Sequence, residues 1–63
     1  MNNKNKEVLE DLIIDYLESL DIYNAKFRNL LLDKKQRKEV LINMQETAYK
    51  LHLACADLRK EIK

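Results

Sequence analysis

The sequence predicts an all-α fold: an antiparallel helical hairpin that pairs into a homodimeric four-helix bundle. Three observations lead there. A single heptad frame runs through Leu9, Ile13, Tyr16, Leu20, Tyr23, Phe27, Leu30, Lys34, Arg37, Leu41, Met44, Ala48, Leu51, Cys55, Leu58 and Ile62, and fourteen of these sixteen positions are apolar. Such spacing marks helices packed along a seam. The two exceptions, Lys34 and Arg37, are neighbours in the frame and fall within the polar stretch Asp33–Lys38, which places a turn near the middle. Gly and Pro are both absent, while 46 % of residues are hydrophobic and 37 % charged. That mixture belongs with coiled coils rather than with disordered chains.

Taken in order, the chain reads as one domain, 1–63. Helix 1 is expected over about 5–32, a turn at about 32–34, and helix 2 over about 34–62. Each helix would be roughly 40 Å long. Asp33 followed by Gln36 fits a capping box, with Asp33 as the N-cap of helix 2. A break at Ser19 to Asn24 would give three helices, but the seam runs through Leu20 and Tyr23 without interruption.

The alternative architecture is one continuous coiled-coil helix of about 95 Å, since no residue in the chain forbids it. Side-chain sizes favour the hairpin. Folding about residue 34 sets Leu30 against Arg37, Phe27 against Leu41, Tyr23 against Met44 and Leu20 against Ala48. The remaining layers are Tyr16 with Leu51, Ile13 with Cys55, and Leu9 with Leu58. The aromatics of the frame lie in helix 1, and Ala48, Ala54, Cys55 and Ala56 lie in helix 2, so large meets small across the seam.

A single hairpin of this size buries too little to be stable alone. Leu12, Leu17 and Leu31 widen the apolar stripe of helix 1, and Ile42, Tyr49, Leu53 and Ala56 form a second stripe on helix 2. Six acids and no base occur from Glu7 to Asp21, and six bases against one acid from Lys26 to Lys38. An antiparallel dimer brings the basic turn of one copy to the acidic Glu7, Glu10 and Asp11 of the other. Exposed pairs add little energy but do set orientation.

Function is far less legible than architecture. Catalysis is not expected: the chain holds one each of His, Cys, Ser and Thr, and no Gly to shape an oxyanion hole. Cys55 lies on the frame and reads as a small buried hydrophobe. His52 reads as a boundary residue, because neither an acid nor a second His stands three or four positions away to share a metal. No metal ligand set or cofactor is expected. The N-terminus carries no signal-peptide core, and the longest apolar runs, Leu12–Ile14 and Leu30–Leu32, are too short to span a bilayer. With one cysteine, and hence no internal disulfide, a cytoplasmic location and no membrane partner are expected. Lys outnumbers Arg nine to three, a bias of AT-rich genomes that points to a low-GC bacterium or its phage.

Two surfaces remain as candidates. The stripe of Ile42, Tyr49, Leu53 and Ala56 is expected to bind another protein, with Tyr49 as the residue where energy concentrates. The basic turn, Lys34, Lys35, Arg37 and Lys38, is the alternative, as a phosphate-contacting site for nucleic acid. In length and paired-helix plan the chain resembles the Rop-type modulators of RNA pairing, which are antiparallel dimers of helical hairpins. The resemblance is one of size and heptad pattern, and it carries no site residue across. The sequence thus reads first as a small non-enzymatic protein–protein interaction module, a regulator or inhibitor. The alternatives are a nucleic-acid-binding hairpin dimer and a coiled-coil spacer.

Overall fold

A computed structural model of the protein describes residues 3–62, with side chains from residue 5. Two helices make up the fold: α1 spans Asn3–Phe27 and α2 spans Lys34–Glu61. They pack antiparallel into a rod 48 × 14 × 14 Å. A continuous helix would be about twice that length, so the spacer architecture is excluded. No break occurs between Ser19 and Asn24. Among the described residues, no helix is long and apolar enough to cross a membrane.

Helix α2 starts where its capping box requires. Asp33 sits in an extended conformation (φ −79°, ψ 176°). Its carboxylate accepts from the Gln36 N–H at 2.8 Å, and the Gln36 side-chain oxygen accepts from the Asp33 N–H at 3.1 Å. Two backbone donors at the helix start are thereby satisfied. Replacing Asp33 with Ala is expected to cost about 1 kcal/mol and to lower the melting temperature by about 4–8 °C, read by circular dichroism.

Helix α1 stops at Phe27 instead of continuing to residue 32. The groups that five more helical residues would have paired find other partners. In a longer helix the Leu31 N–H would donate to the Phe27 carbonyl and the Asp33 N–H to the Asn29 carbonyl. Instead Leu31 donates to the Asn29 side-chain oxygen at 3.0 Å, a turn that asparagine favours, and Asp33 donates to Gln36. The two released carbonyls are taken by one side chain. Arg37 donates through Nη1 to the Phe27 oxygen at 2.9 Å and through Nη2 to the Asn29 oxygen at 3.1 Å. Asn29 N–H to Lys26 oxygen and Leu32 N–H to Asn29 oxygen tighten the connection further.

The seam of α1 follows the heptad frame, with Leu9, Ile13, Tyr16, Leu20, Tyr23 and Phe27 half-buried. On α2 the seam is rotated by about one residue. Arg37, Met44, Leu51 and Leu58 face inward as expected, but the intervening positions are Val40, Thr47, Ala54 and Glu61, not Leu41, Ala48, Cys55 and Ile62. Cys55 is accordingly exposed rather than buried, and Leu30 projects from the connection rather than packing on Arg37. Only Val40 and Ala54, at 8 % and 6 % exposure, are buried among the described residues, and neither is sealed off completely. Small side chains at these inward positions let α2 approach the aromatic-bearing helix closely.

Candidate interaction surfaces

The outward stripe of α2 is held by helix periodicity alone. Ile42, Tyr49 and Leu53 recur at spacings of seven and four, which puts them on one face, and all three are exposed, Tyr49 by 63 %. Ala56 is half-buried and separates from the other three: with His52, Cys55 and Arg59 it lines a shallow depression of about 200 Å³. Leu41, Ala48 and Cys55, the row the sequence frame assigns to the seam, are exposed as well, but about 100–140° around the helix from the stripe, with Gln45, His52 and Arg59 between. The stripe and this row are therefore two separate apolar strips.

The basic turn divides in two. Lys34, Lys35 and Lys38 are exposed at the start of α2, where the helix dipole is positive and the nearest acids are the N-cap Asp33 and Glu39. Arg37 is half-buried and committed to the Phe27 and Asn29 carbonyls, with its guanidinium carbon 5.4 Å from the Phe27 ring centroid. It is therefore a structural residue that caps the end of α1, not an available phosphate contact. The same contact covers Phe27, so the nearest aromatic cannot stack on a base. Alongside the lysines, Lys26 and Arg28 are exposed at the end of α1, and Leu30 and Leu31 project between the helices. The signal for those leucines was present in the sequence: Asn29 and Asp33, both turn formers, bracket them.

At the opposite, open end of the hairpin a cleft of about 330 Å³ lies between the helices, lined by Asn5, Val8, Leu9, Asp57, Lys60 and Glu61. Among the described residues, no group of three or more His, Cys, Asp or Glu side chains converges where a metal could be held. Comparison of the chain with models of protein families, with curated proteins and with solved structures yields no match.

Proposed function

We propose that the chain is a small non-enzymatic protein–protein interaction module, a regulator or inhibitor that works through the outward apolar flank of α2. One observation supports this reading above others: among its described residues the hairpin buries only Val40 and Ala54, neither completely, while Ile42, Tyr49 and Leu53 stand in water. A chain of 63 residues with so slight an interior gains stability by covering such a flank with another polypeptide. Tyr49 supplies a large, rigid, amphipathic side chain at the centre of the flank. A second copy is also expected, paired beside the seam and arranged antiparallel so that the basic turn meets the acidic start of α1, which leaves Ile42, Tyr49 and Leu53 to the regulated protein.

The test combines mass and capture. Light scattering of the free chain is expected to give twice the 7.6 kDa of one copy. The double substitution Tyr49→Ala, Leu53→Ala is expected to abolish capture of the regulated protein while leaving helicity intact. Undiminished capture would remove this face from consideration. The nucleic-acid reading is weaker on this geometry, since Arg37 is engaged and no exposed aromatic accompanies the three lysines.

A further inference from the structure

We infer that the apex of the hairpin is a docking point for an anionic lipid surface, with Leu30 and Leu31 entering the interfacial layer and the neighbouring bases meeting headgroup phosphates. Leu30 and Leu31 are 88 % and 91 % exposed, well beyond any other large apolar side chain described. They occupy the connection between α1 and α2, so they lead the long axis of the rod at one end. Five exposed cations accompany them: Lys26 and Arg28 before the pair, Lys34, Lys35 and Lys38 after it. Asp33 is the one acid between Lys26 and Lys38; its carboxylate keeps its charge while accepting from the Gln36 N–H, and the five exposed cations outweigh it.

A loop leaving water normally carries unsatisfied backbone groups, and these oppose entry into an apolar phase. Here part of that cost is met within the chain, and the remaining groups keep the headgroup water available at a shallow interfacial depth. The Asn29, Leu31 and Leu32 N–H groups donate to Lys26 oxygen, Asn29 Oδ1 and Asn29 oxygen. The Phe27 and Asn29 carbonyls accept from Arg37. Two apolar side chains alone hold a membrane weakly, so the adjacent bases are needed to add attraction to anionic headgroups.

Lipid is favoured over the other anionic surfaces by the shape of the site. Adjacent leucines on a projecting turn need no matching pocket in a fluid phase, whereas a protein partner would have to supply one. A nucleic acid would leave both leucines unused. The expectation of no membrane partner came from the lack of a spanning segment, which says nothing about a peripheral contact. The leucines lie apart from the outward stripe of α2, but Lys34, Lys35 and Lys38 also orient the dimer proposed above, so lipid headgroups and the acidic start of a partner's α1 compete for the same bases.

The full chain should be sedimented with vesicles of phosphatidylcholine alone and with vesicles carrying about one-third phosphatidylglycerol. Binding is expected only to the second, weakening as salt is raised. Both Leu30→Ser, Leu31→Ser and Lys34→Gln, Lys35→Gln, Lys38→Gln are expected to lower the partition coefficient at least about tenfold. Circular dichroism should show each variant as helical as the parent. Three results would overturn the inference. One is no binding to either vesicle, another is equal binding to both, and the third is loss in the lysine variant with none in the leucine variant. If the leucine variant instead converts a dimer to a monomer and vesicles retain nothing, the apex docks on a second copy.

Discussion

Placing Asp at Val40 or at Ala54 is expected to abolish cooperative unfolding of the hairpin. These are the two positions that α2 buries most deeply, and the base nearest Val40 in the seam, Arg37, is already committed to the Phe27 and Asn29 carbonyls. A buried unpaired carboxylate costs about 3 kcal/mol or more. Total stability for a domain of this length is roughly 3–9 kcal/mol, so such a loss removes much or all of it. Urea titration followed at 222 nm measures this. The informative control lies one residue away. Leu41→Asp and Cys55→Asp fall on exposed positions and are expected to change the stability of a single hairpin by under about 1 kcal/mol. The contrast between positions 54 and 55 reads the rotation of α2 directly; equal damage at both would reject the seam described above.

Arg37→Ala carries the next largest expectation, about 2 kcal/mol of destabilisation. The guanidinium makes two charge-assisted hydrogen bonds to carbonyls and lies over the Phe27 ring. Hydrogen bonds to charged groups are worth about 1.5–3 kcal/mol each, and partial exposure here discounts the pair. Arg37→Lys is expected to recover less than half, because an ammonium cannot reach both oxygens as a planar fork does. Loss of helicity should be confined to the last turn of α1, which residue-resolved amide exchange would show. If Arg37→Lys proves as stable as the parent, the fork is not what holds the turn.

The start of α2 was legible because its determinants are local. Asp33 and Gln36 are three residues apart, and each satisfies the other's backbone donor. The hairpin itself was legible from the polar gap at Lys34 and Arg37; of the small residues set against the aromatics, Ala48 and Cys55 are exposed and only Ala54 is buried in the seam. The end of α1 was not, since the carbonyls of Phe27 and Asn29 depend on an arginine ten and eight residues further along. Leu30, Leu31 and Leu32 look like one more helical turn until that arginine is in place. The seam of α2 misled for another reason. Val40, Thr47, Ala54 and Glu61 recur every seven residues, and so do Leu41, Ala48, Cys55 and Ile62. Periodicity cannot separate two rows one residue apart, and hydrophobicity favours the second. The turn fixes the rotation, and it selects the first. Among candidate surface residues, Ile42, Tyr49 and Leu53 are exposed together as expected, while Ala56 and Arg37 are drawn partly inward.

The closed hydrogen bonding at residues 27–37 also bears on how the molecule meets anything else. A six-residue connection with its groups unpaired would act as a tether and let the helices splay. Here side chains of Asn29, Asp33, Gln36 and Arg37 bond across the connection and oppose such splaying. The outward flanks of the two helices are thereby held in one arrangement relative to each other. Much of the ordering that recognition demands is completed when the chain folds, so less affinity is lost to immobilising the surface on contact. A hairpin with little interior of its own can in this way still offer a partner a preformed shape.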